Sequence, residues 1–141
     1  MSDTIKFHFD VDGENFSSAG EASVVVKKKL RQLGFSPEII RKVSIAMYEG
    51  EINMVIHANG GYADVEVTDE AIVITLSDTG PGIPDVALAM QEGYSTATDN
   101  IRSLGFGAGM GLPNMKKNTD SLDIESTVGV GTKIVMRVNY N

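Results

Sequence analysis

Two pairs of strand-like segments constrain the fold of this chain more than any other feature of its sequence. Apolar and polar residues alternate in 62–69 and 71–78, which a short polar turn separates, and again in 121–128 and 131–138, with only two residues between them. A period of two is typical of a half-buried strand, and such close spacing indicates a hairpin. Residues 4–11 alternate in the same way and add a first strand. Strands that come in hairpins predict a mostly antiparallel sheet rather than a Rossmann order.

Two helices are predicted between the first strand and the first hairpin. Ser18 and Glu21 have the spacing of a capping box, which predicts the start of the first helix. Ser36 precedes Pro37, a combination typical of a cap followed by the first helical turn. The second helix is expected to extend to about residue 59, where an Asn-Gly-Gly segment ends it.

The stretch between the two hairpins is less regular. A short helix is predicted at 84–91 and another at 112–120, whereas 92–108 is polar, small or glycine without clear periodicity. A loop of this length is usually functional or mobile. The order β-α-α-β-β-(α)-loop-α-β-β predicts an α/β (α+β) two-layer sandwich, with a mostly antiparallel mixed sheet and helices on one face.

Composition and charge restrict the class of protein. At 141 residues the chain is expected to be one domain, 1–141, and without cysteine it forms no disulfide or thiolate metal site. The net charge of −7 argues against a nucleic-acid partner, which needs a cationic surface. The sequence starts without a signal-like segment and has no run of eighteen apolar residues, so we expect a cytoplasmic protein without membrane association.

The second predicted helix carries a polar stripe of Glu49, Asn53 and His57, each four residues after the last. A carboxylate and an amide oxygen one turn apart suit a general base beside a magnesium ligand, although a polar edge facing solvent gives the same pattern. Glu51 lies on the opposite side of the helix and is predicted to be at the surface. Gly50 weakens the helix by about 1 kcal/mol relative to alanine, and its position has no explanation in the sequence.

The segment Asp78-Thr79-Gly80-Pro81-Gly82 directly follows a predicted strand. A carboxylate at that point can accept a hydrogen bond from an exocyclic amine such as that of adenine. The alternative is a simple turn, because each of these residue types favours turns.

The stretch "GFGAGMGLPNM" places glycines at 105, 107, 109 and 111 and then enters a helix at Leu112-Pro113. It matches neither the P-loop nor the G-x-G-x-x-G pattern. Successive backbone N–H groups followed by a helix N-terminus can surround an anion, and a flexible linker is the alternative.

In their order and spacing, these three segments resemble the ATPase domain of the GHKL superfamily, which DNA gyrase, a major chaperone family, histidine kinases and mismatch-repair proteins share. Glu49 with Asn53 matches the first motif, Asp78-x-Gly80-x-Gly82 the second, and the glycine-rich stretch a third. Gly131-Thr132 matches a later glycine-threonine pair. The chain is most similar to the small bacterial anti-sigma factor and switch-protein serine/threonine kinases.

The resemblance implies the histidine-kinase-type (Bergerat) fold, with ATP and Mg²⁺ bound under a lid at 92–111. It implies that Glu49 is the catalytic base, that Asn53 is the magnesium ligand, and that Asp78 holds adenine beside Gly80 and Gly82. The residues it places around the phosphates or at the adenine end are Gly105, Gly107, Gly109, Met110, Gly111, Leu112 and Thr132.

The partner implied by the resemblance is a small antagonist or anti-anti-sigma protein of the STAS type, phosphorylated on serine or threonine. A sigma factor, a phosphatase regulator and a homodimer are further candidates. Two other functions stay open: the isolated ATP-binding part of a histidine kinase, and a non-enzymatic ATP-gated module that sequesters a partner. Arg102 is a candidate lid residue for phosphate contact.

Overall fold

The computed structural model describes residues 4–12, 20–58, 60–80 and 111–140, which contain five strands and three helices. In chain order they are β1 (Ile5–Asp12), α1 (Glu21–Gln32), α2 (Pro37–Ala58), β2 (Gly60–Val67), β3 (Ala71–Asp78), α3 (Gly111–Lys117), β4 (Ser121–Thr127) and β5 (Gly131–Asn139). Each coincides with a predicted element apart from small shifts at its ends. The predicted helix at 84–91 and loop at 92–108 lie outside the described residues.

The strands form one sheet in the order β1-β2-β3-β5-β4, and its four pairings are antiparallel. Both predicted hairpins are present, and β5 lies beside β3, which joins the two hairpins into a single sheet. In the register of this central pair, Asp78 lies opposite Thr132. Two residues far apart in sequence are thereby brought together at one end of the sheet.

One face of the sheet is buried against the helices. Along β3 the side chains of Ile72, Ile74 and Leu76 are buried, in agreement with the alternating pattern. Each such side chain contributes about 1.5–3 kcal/mol when it is fully buried. All three helices contribute to the same core, through Val26, Leu30, Val43, Met47 and Met115. The predicted two-layer sandwich with helices on one face is confirmed.

The other face of the sheet is polar where β1 and β2 meet. His8 is exposed, and its Nδ1 lies 2.5 Å from Asp64 Oδ1 while its Nε2 lies 3.3 Å from Asp10 Oδ1. The hydrogen bond to Asp64 is the main reason why the pKa of His8 is raised above its ordinary value. This corner of the sheet therefore favours a protonated imidazole.

The start of α2 agrees with the sequence, whereas the start of α1 does not. Ser36 Oγ accepts the backbone N–H of Ile39 at 3.3 Å, which is the predicted cap of α2. In α1 the N-cap is Gly20 and the first helical residue is Glu21. The predicted Ser18–Glu21 capping box is therefore wrong, because Glu21 stands at the first helical position rather than the third.

Candidate functional site

The polar face predicted on the second helix is present at Glu49 and Asn53. Both residues are half-buried and stand one turn apart on α2, so their side chains leave the helix on the same side. His57 lies further along α2, and its side chain is outside the described residues. The remaining residues of this segment are mostly buried and apolar, namely Ala46, Met47, Ile52 and Met54.

Gly50 allows α2, the helix that carries this polar face, to pack closely against the sheet. A Cβ atom on Gly50 would lie 2.0 Å from Leu76 Cδ1 and 3.6 Å from Met115 Sδ. No larger residue fits without displacing its neighbours, so the glycine allows α2 to pass directly over the end of β3. Leu76 precedes Asp78 by two residues, or roughly 7 Å along a strand. The face that carries Glu49 is thus held at the same end of the sheet as Asp78.

Asp78 is anchored by two backbone groups. Its Oδ1 accepts the N–H of Gly80 at 2.9 Å and the N–H of Thr132 at 3.2 Å. The first bond forms the turn that the sequence predicts, and the second ties the end of β3 to the start of β5. Because both bonds go to Oδ1, they orient the carboxylate and leave Oδ2 as the oxygen suited to a ligand amine.

Thr132 supports this anchor from β5. It is buried, and its Oγ1 lies 2.8 Å from Ser126 Oγ on the neighbouring strand. With its backbone donating to Asp78 and its hydroxyl bonded to Ser126, Thr132 is fixed at both ends. Only the family resemblance predicts that Thr132 lies near the nucleotide. In the structure its backbone N–H is hydrogen-bonded to Asp78.

The expectation that Glu51 lies at the surface is wrong. Its side chain is 2% exposed and meets the start of α1: Oε1 accepts the N–H of Ser23 at 2.6 Å. Oε2 accepts the N–H groups of Gly20 at 3.1 Å and Ala22 at 3.3 Å. These donors have no partner within their own helix, and a carboxylate also suits the positive end of the helix dipole.

Burial raises the pKa of Glu51, and the bonds from the backbone N–H groups of α1 oppose that shift. No local pattern in the sequence signals this contact, because the opposite side of α2 is covered by an element whose position only the tertiary structure defines. Glu51 is therefore a structural residue that locks α2 against α1.

Asn114 is a site residue that sequence reasoning missed. It lies in α3, and its Nδ2 donates a hydrogen bond to Glu49 Oε1 at 3.3 Å. The available signal was a single amide between two residues, Pro113 and Met115, that the structure buries. An amide flanked by buried residues on a short helix points to a specific contact rather than to solvent.

The remaining predicted site residues are only partly covered by the described residues. Gly80 is present and bonded to Asp78, and Gly111 and Leu112 form the start of α3. The others lie outside the described residues, namely Gly82, Arg102, Gly105, Gly107, Gly109 and Met110. Their assigned roles stay predictions.

The donor set suits a magnesium nucleotide. Asn53 provides an amide oxygen, and Mg²⁺ prefers oxygen ligands, of which a protein typically supplies one or two. Glu49 and Asp78 add two carboxylates at the same end of the sheet. Within the described part of the chain, no helix has the length and apolar character needed to span a membrane.

Three known proteins show what the chain is similar to. It is 32% identical over 108 residues to the serine/threonine-protein kinase RsbT of Bacillus subtilis, over 74% of this chain and 75% of that protein. It is 35% identical over 122 residues to the anti-sigma F factor of Clostridium novyi, over 82% of each. The crystal structure of the RsbU and RsbW domains of a Mycobacterium tuberculosis protein superposes with a TM-score of 0.65 at 14% identity.

That superposition covers 97% of this chain but 33% of the mycobacterial chain, and it bears on the fold alone. Family membership rests on the sequence. Residues 41–141 match the family described as histidine kinase-, DNA gyrase B-, and HSP90-like ATPase. This match contains Glu49, Asn53, Asp78 and Thr132, and the chain belongs to this ATPase family.

Proposed function

We propose that the chain is an ATP-dependent protein serine/threonine kinase that phosphorylates a small STAS-type partner protein. The observation that carries the proposal is the placement of Glu49 and Asn53 on one face of α2, above the end of β3 where Asp78 is anchored. Membership of an ATPase family and the kinase name of the Bacillus subtilis relative support this chemistry.

In this proposal the adenine end of ATP lies at Asp78. Its Oδ2 accepts a hydrogen bond from the exocyclic amine of adenine, while Oδ1 stays hydrogen-bonded to the backbone N–H groups of Gly80 and Thr132. A carboxylate held in this way can recognise the base without reorienting, and Gly80 and Gly82 are the residues proposed to lie beside the ring. Thr132 keeps the anchor in place through its bond to Ser126.

The proposed phosphate end lies toward α3. Asn53 is the proposed magnesium ligand, and the ion when bound would neutralise charge on the phosphate oxygens. The proposed phosphate contacts are Gly105, Gly107, Gly109, Met110, Gly111 and Leu112. All of them except Leu112 belong to the proposed lid at 92–111.

Glu49 is the proposed base. Its carboxylate accepts the proton of the substrate hydroxyl while the hydroxyl oxygen forms a bond to the γ-phosphorus. The bond between that phosphorus and the bridging oxygen breaks, and ADP leaves with the electron pair. The proton then passes from Glu49 to solvent. Such a transfer depends mainly on positioning and charge stabilisation, so one oriented carboxylate is sufficient.

The anti-sigma F factor name of the Clostridium novyi relative supports a sigma factor as a second partner. An anti-sigma kinase can hold one protein and phosphorylate another, so the two roles are compatible. The cytoplasm is the proposed location, because ATP is supplied there. The single domain and the homodimer stay predictions.

The test is transfer of label from γ-labelled ATP with magnesium into a purified STAS-type protein and into the small proteins of the source lysate. Wild type is compared with Glu49→Ala and with the control Glu38→Ala, which removes an exposed carboxylate from the first turn of the same helix. We expect wild type and the control to give the same labelled band, stable to acid and lost in hot alkali. Glu49→Ala is expected to bind ATP and to give no band.

Label transfer by Glu49→Ala at the wild-type rate would exclude this residue as the base. Absence of any labelled protein with wild type, together with ATP binding shown by calorimetry, would overturn the kinase proposal. That second result would favour an ATP-gated module that sequesters its partner.

A further inference from the structure

The proposed base accepts a hydrogen bond from a second side chain, which restrains its orientation. Asn114 Nδ2 donates a hydrogen bond to Glu49 Oε1 at 3.3 Å, and both side chains are half-buried. A carboxylate only accepts hydrogen bonds, so the amide must turn its NH₂ group toward Glu49. One oxygen of the base is thereby held, and the other remains able to accept a proton.

The backbone that carries Asn114 is itself fixed. Its two neighbours, Pro113 and Met115, are buried, and Met115 lies against the position where α2 has Gly50. The amide therefore reaches Glu49 from a fixed point on α3, and α3 is held against the same helix that carries Glu49.

The chemistry of an amide suits this position. A glutamate side chain has three rotatable bonds, and holding one oxygen removes most of its orientational freedom. A neutral amide donates to the carboxylate without itself accepting a proton, so it does not compete with the base. A lysine or arginine in the same place would pair with the carboxylate and weaken it as a proton acceptor.

We propose that Asn114 is the positioning residue of the phosphoryl transfer: it holds Oε1 of Glu49 so that Oε2 faces the substrate hydroxyl. This inference rests on the proposed function, because it assigns a task to Glu49 as base. It predicts that loss of the amide lowers the rate of transfer and leaves nucleotide binding unchanged.

The kinetic test replaces Asn114 by leucine, which has the same branching at Cγ and no donor, and by the smaller alanine in a second variant. Transfer to the STAS-type substrate is measured at saturating ATP, and ATP affinity is measured separately by calorimetry. We expect kcat to fall by about tenfold, as for the loss of one hydrogen bond to a charged group. We expect the Kd of ATP to stay within about twofold, and Asn114→Gln to recover part of the rate because it retains a donor.

Asn118→Leu is the matched control. It removes an amide of the same kind directly after the same helix. This amide donates to the carbonyl oxygen of Asn114 and not to Glu49. We expect its kcat to remain within about twofold of wild type, since the orienting contact at Glu49 is intact. A loss of rate equal to that of Asn114→Leu would assign the effect to the packing of α3 and overturn the inference.

A second measurement does not depend on activity. A double-mutant cycle of Glu49→Ala and Asn114→Leu, followed by chemical denaturation, is expected to show a coupling of about two- to tenfold in the equilibrium constant of unfolding. Additive effects would overturn the contact. A wild type that labels no protein would overturn the proposed function and this role together, whereas equal transfer rates of wild type and Asn114→Leu would overturn the role of Asn114 alone.

Discussion

Gly50 of α2 and Leu76 of β3 lie in direct contact, and a single methyl group on the glycine would come within 2.0 Å of the leucine Cδ1. Leu76 is buried in the core, so it cannot move aside into solvent. The distance between the helix and the sheet is therefore set by the absence of a side chain. This contact also determines how closely Glu49 approaches the end of the sheet where Asp78 is anchored.

Gly50→Ala is expected to destabilise the protein although alanine favours a helix. Helix propensity alone would add about 1 kcal/mol of stability. Overpacking of the core costs about 1–3 kcal/mol, and we expect this term to be the larger one. The measurement is the free energy of unfolding in urea for Gly50→Ala and wild type.

The control for this prediction removes the Leu76 side chain, with which the added methyl group would clash. In a Leu76→Ala background the added methyl group finds space, so Gly50→Ala should become stabilising by up to about 1 kcal/mol. If the substitution has the same effect in both backgrounds, steric contact between these two side chains is not the reason for the glycine.

Glu51→Ala is expected to lower the free energy of unfolding by about 2–4 kcal/mol. The three backbone N–H groups of Gly20, Ala22 and Ser23 lose their acceptor in a buried environment. The control Glu38→Ala removes an exposed carboxylate from the same helix and should cost less than about 1 kcal/mol. Equal losses for the two variants would show that Glu51 contributes nothing beyond its charge.

The stability of the protein should depend on the protonation of His8. The folded pKa of His8 is raised above the ordinary value of 6.5, mainly by the bond to Asp64, so the native state binds the proton more tightly than the unfolded state. The resulting stabilisation is complete below about pH 6.5 and is lost as the pH rises through the folded pKa. His8→Gln should remove this part of the pH dependence.

Denaturation measured at several pH values checks this expectation, and an NMR titration of the imidazole follows the group directly. Asp64→Asn should move the titration of His8 back toward its ordinary range, because it removes the charge and the strongest acceptor. Identical stability profiles of wild type and His8→Gln above pH 6.5 would contradict the prediction.

Asp78→Asn is expected to weaken ATP binding by about ten- to a hundredfold while the fold persists. The amide oxygen can still accept the N–H groups of Gly80 and Thr132, but an NH₂ group replaces the second oxygen and cannot accept a hydrogen bond from an exocyclic amine. Calorimetry with ATP gives the affinity, and Asp64→Asn on the solvent-facing side of the sheet is the control. A folded Asp78→Asn variant with wild-type affinity would remove Asp78 from the site.

Most of the fold could be predicted because its signals are local. The alternation in β2, β3, β4 and β5, and the Ser36 cap of α2, depend on residues near one another in sequence. The stripe of Glu49 and Asn53 is also local, since it needs only the helical period. The predicted start of α1 is wrong because it depends on the local spacing of Ser18 and Glu21. In the structure the N–H groups at the start of α1 donate to Glu51, which is distant in sequence.

The contacts that could not be predicted join distant parts of the chain. The helical period predicts Glu51 at the surface, because it separates the two faces of a helix without indicating what covers each of them. Asn114 lies 65 residues from Glu49, and no spacing rule connects them. Gly50 likewise has a reason only once α2 lies over Leu76.

The start of α1 contacts α2 on both sides of Glu49. Gly20 has φ +93° and so little space that a Cβ atom would lie 2.7 Å from Tyr48 Cε1, while its N–H donates to Glu51. Substitutions at Gly20 would therefore strain the backbone at the start of α1 and crowd Tyr48, the residue before Glu49 in α2. A genetic selection for alleles without signalling activity should recover Gly20 together with Glu49, and mutations in two distant segments of the gene would then affect one and the same site.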